Sequence, residues 1–293
     1  MRKFLKYLIK LISKLITSFG FKPNMTSHLY RMRLYFLDTL IESLYQRKRN
    51  EKVRSQELFF SVPNYITDWR AQTASSKEPD TLDWIESFDD NSIFWDIGAN
   101  IGLFSLYAAK TKKSNVLAFE PSVFNLEILA RNITSNNLGD LITIIPLALS
   151  SKSLINDMNL SNTTWGGALS TFGENFGWDG NPIDSNISYK LLGSSIDELI
   201  SNFNLPIPDY VKLDVDGLEH LILRGGINTL TKIKSILVEV NTSFLSQSNE
   251  VNEILKQSGL KLENSRLSEH EPDNISEDNL ISTSTVYNQI WTR

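Results

Sequence analysis

The chain has no cysteine and only three histidines among its 293 residues. Without thiols, it has no disulfide, no thiolate zinc site and no cysteine nucleophile, as is typical of a protein of the reducing cytoplasm. His28, His220 and His270 are too few for a histidine-rich metal site. We therefore expect a cytoplasmic protein whose function depends on neither thiols nor a histidine cage.

The apolar N-terminal stretch is interrupted too often to cross a membrane. At 100° per residue, residues 2–19 place their apolar side chains on one helix face and their basic ones on the other. A span would bury Lys6, Lys10 and Lys14 at about 2.5 to 3.5 kcal/mol each near the bilayer centre, and the apolar run does not resemble a signal-peptide core. Two interpretations remain: a helix lying peripherally on the inner membrane surface, or a helix packed on the body or a partner.

Positive charge is scarce outside the N-terminal region. Residues 1–55 hold 13 Lys/Arg against 3 Asp/Glu, whereas the remainder holds 16 against 31. A basic arm on an acidic body favours local contact with an anionic surface and disfavours nucleic-acid binding. Residues 28–60 have helical periodicity and predict a second helix. The predicted domains are a basic amphipathic helical extension over 1–60 and a catalytic domain over 61–293.

From residue 79 onward, short apolar strands alternate with helices. This pattern requires crossover connections and predicts an α/β, doubly wound, mostly parallel sheet covered on both faces. Ligands of such sheets bind beyond the carboxyl ends of the strands. Polar residues at predicted strand ends therefore indicate the site: Asp96, Glu120, Ser150, Asp214 and Asn241.

Residues 151–190 do not follow the alternation. They are rich in Asn, Ser and Gly and contain Trp165, Phe176 and Trp178. A long segment with several aromatic residues in a compact domain more often has a function than serves only as a connection. We expect a substrate lid or wall, whose aromatic rings either stack on a sugar or pack internally.

The turn "DIGANIG" lacks the second glycine of a dinucleotide fingerprint. Gly98 and Gly102 are present, but Asn100 stands where backbone must approach a pyrophosphate. The ligand predicted here is S-adenosylmethionine, which has no pyrophosphate. Its carboxylate could meet the amides that open the helix at Leu103, and its ammonium could meet Asp96.

Glu120 ends the next strand, 18 residues after Gly102. Its two carboxylate oxygens suit the two hydroxyls of a ribose. Ser150, at a further predicted strand end, is added to the expected donor-binding residues. Tight turn packing for the glycines and an ordinary strand-end carboxylate for Glu120 are the structural alternatives.

Acidic residues cluster in "VKLDVDGLEH". Asp214, Asp216 and Glu219 are the predicted catalytic residues, since an alcohol acceptor needs a general base or a metal ion. With Glu239 on a neighbouring strand, Asp214 and Asp216 could hold Mg²⁺ or another hard divalent ion. Asp214 as a metal-free base, turn capping by the carboxylates, and His220 as a weaker base remain open.

With these motifs, the chain resembles the FkbM-type S-adenosylmethionine-dependent methyltransferases. The resemblance runs from about Trp69 to Arg293 and includes the pieces "FWDIGANIGLFSLYAA", "VLAFEPSVFNLEILARNI", "YVKLDVDGLEHLILRGG" and "NQIWTR". It implies a class I, Rossmann-like, seven-stranded methyltransferase fold. It also implies methyl transfer to a hydroxyl oxygen of a sugar, glycan or small metabolite. Residues 1–60 lie largely outside it.

Three rival functions remain. A methyltransferase for a nitrogen acceptor on protein or nucleic acid is disfavoured by "DVDG" where an Asn/Asp-Pro-Pro-aromatic turn is typical, and by the acidic body. A non-catalytic donor-binding module would not need the acidic cluster. A nicotinamide dehydrogenase is disfavoured by Asn100.

Overall fold

The computed structural model describes residues 7, 28–183, 187–267 and 286–293. The amphipathic helix predicted over residues 2–19 lies, apart from Tyr7, outside the described residues, and its membrane contact stays a prediction. The chain divides into two compact units, Met1–Gln46 and Arg47–Arg293. The division falls before the boundary predicted at residue 60.

The helices and strands of the described residues are numbered in chain order. The helices are α1 (His28–Tyr45), α2 (Tyr65–Gln72), α3 (Pro79–Glu86), α4 (Leu103–Lys112), α5 (Val123–Ser135), α6 (Ile196–Phe203), α7 (Glu219–Arg224), α8 (Ile227–Leu230) and α9 (Leu245–Gln257). The strands are β1 (Lys48–Val53), β2 (Gln56–Ser61), β3 (Ile93–Ile97), β4 (Asn115–Phe119), β5 (Ile142–Ile145), β6 (Ala148–Leu149), β7 (Leu154–Leu160), β8 (Thr171–Phe172), β9 (Ile187–Ser194), β10 (Tyr210–Leu213), β11 (Ser235–Asn241), β12 (Lys261–Leu267) and β13 (Val286–Thr292).

In the first unit, the helix predicted over residues 28–60 is too long, because α1 ends at Tyr45. The residues that follow form the antiparallel hairpin β1–β2, which belongs to the second unit. No helix among the described residues is both long enough and apolar enough to span a membrane.

The main sheet has seven strands in the order β12-β13-β11-β10-β3-β4-β5. The strands from β11 to β5 are parallel, and β13 and β12 are antiparallel at one edge. This arrangement confirms the predicted doubly wound, mostly parallel sheet and is the class I methyltransferase topology. Because the chain runs outward from β3 on both sides, the switch in strand order lies between β3 and β10.

Two apolar clusters cover the faces of the main sheet. Phe94 belongs to one cluster and its neighbour Trp95 to the other, and both side chains are fully buried. Successive strand residues point to opposite faces, so a strand buried on both faces is apolar throughout. Helix starts follow their sequence signals: Asn64 and Thr67 form a capping box at α2, and Pro79 opens α3.

A second, four-stranded sheet has the order β6-β9-β7-β8. It corrects two sequence expectations. The predicted strand "ITIIPLALS" divides into β5 and β6, which belong to different sheets and flank Pro146, a residue with no N–H for a sheet ladder. The region 151–190, expected to lie outside the alternation as a substrate lid or wall, contributes the regular strands β7, β8 and the start of β9.

Candidate active site

The glycine turn Gly98–Gly102 follows β3 at the switch point of the sheet. Gly98 and Gly102 have φ values of 86° and 87°, which glycine adopts at low cost. A Cβ atom at Gly98 would lie 1.8 Å from the carbonyl oxygen of Asp214, and one at Gly102 would lie 2.4 Å from Leu129 Cδ1. Both positions therefore require glycine, and Gly98 brings the turn into contact with the end of β10.

Asn100 lies at the centre of this turn with φ of 50°, which Asn tolerates better than most residues. Its backbone N–H donates to Glu120 Oε2 at 2.7 Å, and its side-chain amide donates to the Gly167 carbonyl at 2.9 Å. Its Oδ1 is buried without a partner. Asn100 therefore joins the glycine turn to Glu120 and to the main chain at Gly167.

Glu120, just after β4, is only 4% exposed. Besides the Asn100 N–H, it accepts the N–H of Ser122 at 2.8 Å. Burial raises the pKa of Glu120 to about 7, although these donors oppose the shift. A buried carboxyl in a cavity wall, close to the switch between protonated and ionised forms, is suited to a polyhydroxyl ligand.

Asp96 lies inside β3 rather than beyond its end, and it is 1% exposed. Oδ2 accepts from the Ser105 hydroxyl at 2.5 Å, while Oδ1 has no partner. Burial raises its pKa, and the positive charge of Lys212 on the paired strand opposes this. Asp96 and Gly102 are not among the residues that line the cavity.

A cavity of about 460 Å³ opens at the carboxyl ends of β3, β4, β10 and β11. Its charged lining residues are Arg70, Lys77, Glu78, Glu120, Lys212, Asp214, Asp216 and Glu239. The glycine turn forms one end of the wall, and residues 167–170 and Trp178 form another part. The structure thus joins the predicted donor residues Gly98, Asn100 and Glu120 with the predicted acidic residues in one space.

Asp214 follows β10, and its side chain is 26% exposed. Lys212 Nζ donates to Asp214 Oδ2 at 2.6 Å. Burial opposes ionisation of Asp214, but the lysine charge outweighs it and lowers the pKa of Asp214. Lys212 is 1% exposed, and burial disfavours its charge, yet Asp214, Glu78 and Asp96 raise its pKa. The result is a fixed ion pair in the cavity wall.

Asp216 and Glu219 have different surroundings. Asp216 lines the cavity, has φ of 60°, and accepts the Leu169 N–H at 2.7 Å. Glu219 is 1% exposed and accepts the N–H groups of Val215 at 2.9 Å and Gly217 at 3.3 Å. Glu219 is not among the cavity-lining residues, so the structure places it beneath the turn, where it satisfies backbone donors.

Glu239, on β11, lines the same cavity. Burial raises its pKa well above the ordinary value, and the negative charges of Asp214 and Asp216 add to the shift. Within the described part of the chain, no three acidic or histidine side chains converge as metal ligands. Asp214, Asp216 and Glu239, considered as possible ligands of Mg²⁺ or another hard divalent ion, do not form such a group among the described residues.

Ser150 and His220 are not brought to the cavity. Ser150 follows β6 in the small sheet, and its N–H donates to the Ser194 carbonyl at 2.9 Å. His220 is 6% exposed beside Phe244, and burial lowers its pKa. Of the aromatic side chains predicted to form a lid, Trp178 lines the cavity.

Sequence reasoning missed Lys212 and Asn125. A lysine in the otherwise apolar strand "YVKL" was the available signal, because a buried lysine needs a partner charge. The side chain of Asn125, on α5, accepts the N–H of Gly166 and donates to the carbonyl of Gly167. Nothing in the local sequence of α5 indicates that partner.

The Methyltransferase FkbM domain model matches residues 96–262. The hexuronic acid methyltransferase AglP of Haloferax volcanii is 26% identical over 220 residues, which are 72% of this chain and 81% of that protein. The methyltransferase sdnD of Sordaria araneosa is 37% identical over 70 residues, or 24% of this chain and 27% of that protein.

Among solved structures, the chain is similar to methyltransferase FkbM from Methylobacillus flagellatus KT, with a TM-score of 0.44, 16% identity and coverage of 89% of this chain and 60% of that one. A precorrin-6y C5,15-methyltransferase from Geobacter metallireducens has a TM-score of 0.42, 14% identity and coverage of 74% and 86%. The family match spans more than half of the chain and includes both the glycine turn and the acidic residues after β10. The chain belongs to the FkbM family of S-adenosylmethionine-dependent methyltransferases.

Proposed function

We propose that the chain transfers a methyl group from S-adenosylmethionine to a hydroxyl oxygen of a sugar or glycan. One observation carries this proposal: the ionised carboxylate of Asp214 faces the cavity that also contains the glycine turn and Glu120. The similarity to AglP, a hexuronic acid methyltransferase, supports a sugar acceptor.

The donor end of the cavity suits S-adenosylmethionine. Glu120, in the cavity wall, offers carboxylate oxygens for ribose hydroxyls. When bound, this cofactor supplies a methyl group already activated by its sulfonium. The chain's remaining tasks are to orient the acceptor, exclude water and remove one proton.

Asp214 is the proposed orienting and proton-accepting group. Lys212 holds Oδ2, so Oδ1 can accept a hydrogen bond from the acceptor hydroxyl and take its proton as the oxygen is methylated. The ion pair lowers the basicity of Asp214, and orientation is therefore its larger contribution. Lys212 fixes the carboxylate in position.

Trp178 and the carboxyl of Glu239 complete the acceptor end. An aromatic face beside hydrogen-bonding groups is suited to a sugar ring, which has apolar C–H faces and hydroxyl edges. The raised pKa of Glu239 favours its protonated form, so it can donate a hydrogen bond as well as accept one.

The test is methyl transfer by the purified full chain, with isotopically labelled S-adenosylmethionine and a panel of neutral and uronic-acid glycans. Asp214→Asn should lower kcat by about a hundredfold or more, because it removes both the carboxylate that orients the acceptor hydroxyl and the proton acceptor. Its affinity for S-adenosylhomocysteine should stay within about threefold, because Glu120 and the turn are unchanged.

Asp140→Asn is the matched control, since Asp140 is exposed and does not line the cavity. Full activity of Asp214→Asn would refute the assignment. Transfer to nitrogen rather than oxygen, seen by mass spectrometry of the product, would refute the acceptor class. Loss of activity on chelation, with recovery on adding Mg²⁺, would favour metal-assisted transfer instead.

A further inference from the structure

Residues Trp165–Ser170, here called the bridging segment, run between β7 and β8 along the cavity. Gly167, Ala168, Leu169 and Ser170 line it. The segment has two residues in the left-handed region, Gly166 with φ of 79° and Leu169 with φ of 60°. Its backbone polar groups are held mainly by side chains from other elements rather than by a sheet ladder.

On the donor side, two amides share one carbonyl oxygen of the bridging segment. Asn100 Nδ2 donates to Gly167 O at 2.9 Å, and Asn125 Nδ2 donates to the same atom at 3.0 Å. Asn125 Oδ1 also accepts the buried N–H of Gly166 at 2.9 Å. The segment is thereby joined to the glycine turn and to α5.

The same segment is also tied to Asp216, two residues after Asp214, and to Arg70, whose positive charge acts on both Glu120 and Asp214. Arg70 Nε donates to Gly166 O at 2.7 Å, and the Leu169 N–H donates to Asp216 Oδ2 at 2.7 Å. Arg70 and Asp216 both line the cavity. A stretch of six residues therefore connects the ribose-binding end with the residues beside Asp214.

Asn100 links Glu120 to the bridging segment. Its backbone N–H fixes Glu120 Oε2, while its side chain fixes the bridging segment. One residue thus holds the donor-binding acid by its main chain and the shared wall by its side chain. Substituting the side chain can separate the two roles.

We propose that the bridging segment is the wall shared by donor and acceptor, and that Asn100 is a positioning residue which holds this wall through the Gly167 carbonyl. The inference rests on the proposed transfer to an acceptor in this cavity. In this proposal the Asn100 side chain supports binding of the methyl acceptor, although the residue belongs to the glycine turn at the donor end.

Asn100→Gly is the decisive variant, because glycine accepts the positive φ and keeps the N–H to Glu120. Asn125→Ala removes the second donor to Gly167 from a different element. Asn252→Ala is the matched control: its amide donates to the Ser248 carbonyl at 2.7 Å within α9 and does not line the cavity. Hydrogen exchange of peptides covering residues 163–172, calorimetry with S-adenosylhomocysteine, and steady-state methyl transfer are measured on the full chain.

In Asn100→Gly, exchange over residues 163–172 should rise about fivefold or more, the equivalent of one lost hydrogen bond. Affinity for S-adenosylhomocysteine and the KM for S-adenosylmethionine should stay within about threefold, while the acceptor KM rises or kcat falls by about tenfold. Asn125→Ala should show the same exchange signature, and Asn252→Ala should match the wild type.

Unchanged exchange over residues 163–172 in Asn100→Gly would overturn the proposal, whatever Asn125→Ala shows. So would a loss confined to the donor KM, which would make the side chain a donor ligand. If the wild type methylates no sugar but the exchange and calorimetry results hold, the proposed acceptor is wrong and the role of Asn100 in holding the wall stands.

Discussion

At the residue scale, Glu120 combines two opposing requirements. Its burial raises the pKa to about 7, whereas a ribose-binding role needs the carboxylate form. The backbone N–H groups of Asn100 and Ser122 supply part of the stabilisation that burial removes. Donor binding should therefore be linked to loss of a proton from this one side chain.

We predict that affinity for S-adenosylhomocysteine falls as pH decreases from 8 to 6. Below the pKa of Glu120, its proton must leave before both oxygens can accept ribose hydroxyls, so the affinity loses up to about tenfold per pH unit. Calorimetry in two buffers of different ionisation enthalpy measures the proton release. Glu120→Gln should bind more weakly with little change between pH 6 and 8; a pH dependence that persists in this variant would contradict the prediction.

In the acidic stretch after β10, the sequence predicted the positions of some side chains but not of others. Asp214 and Asp216, both predicted as catalytic residues, both line the cavity. Glu219 could not be placed in the same way. The chain leaves the extended conformation at Asp216, whose φ is 60°, and the alternation of side-chain direction stops there.

At the element scale, the β1–β2 hairpin is the clearest departure from expectation. Its first strand, "KRNEKV", is mostly charged, so its period resembled that of an exposed helix. Arg54 and Ser55 form the two-residue turn with Arg54 at φ of 53°, although Asn-Gly or Asp-Gly is the usual signal for such a turn. The alternating strands and helices from β3 onward were predictable because burial on both faces makes their strands continuously apolar.

The hairpin is attached to α5 through buried amides. Asn132, fully buried, accepts the Ser61 N–H at 2.6 Å and donates to the Ile101 carbonyl in the glycine turn at 2.8 Å. Asn132 therefore joins a hairpin, a helix and the glycine turn. The local sequence cannot predict such a contact, because the partners of Asn132 lie 71 and 31 residues away.

We predict that Asn132→Ala lowers the free energy of unfolding by about 2 to 4 kcal/mol, because two buried backbone groups lose their partners. Urea denaturation followed by circular dichroism measures the change. Thr134→Ala on the exposed face of the same helix is the control and should stay within about 0.5 kcal/mol. Equal stability of the two variants would show that the hairpin contact contributes nothing.

At the scale of the whole molecule, buried acids gather around the carboxyl edge of the sheet. Burial is the largest cause that raises the pKa of Asp96, Glu120, Glu219 and Glu239. An acid with a raised pKa in the folded state binds a proton more readily there than in the unfolded chain. Stability from such groups is present at low pH and is lost as pH rises through the folded pKa.

We predict that the free energy of unfolding of the ligand-free chain decreases between pH 5.5 and 8. Glu120 alone contributes about 2 kcal/mol between pH 5.5 and its pKa of about 7. Burial lowers the pKa of His220, so this group makes stability increase with pH, but it is one group against several buried acids. Urea titrations at several pH values test this, and stability that increases steadily over the range would contradict it.

Gly98 lies where the glycine turn and the residue after β10 meet backbone to backbone, with only a hydrogen atom between Cα and the Asp214 carbonyl. In relatives with this glycine, the segment that bears Asp214 cannot shift toward the glycine turn, because the two main chains already touch, and this side of the cavity is fixed. Divergence in acceptor size among FkbM chains should therefore accumulate on the facing side, in the stretch around Trp178 and in the approach from α2 to α3.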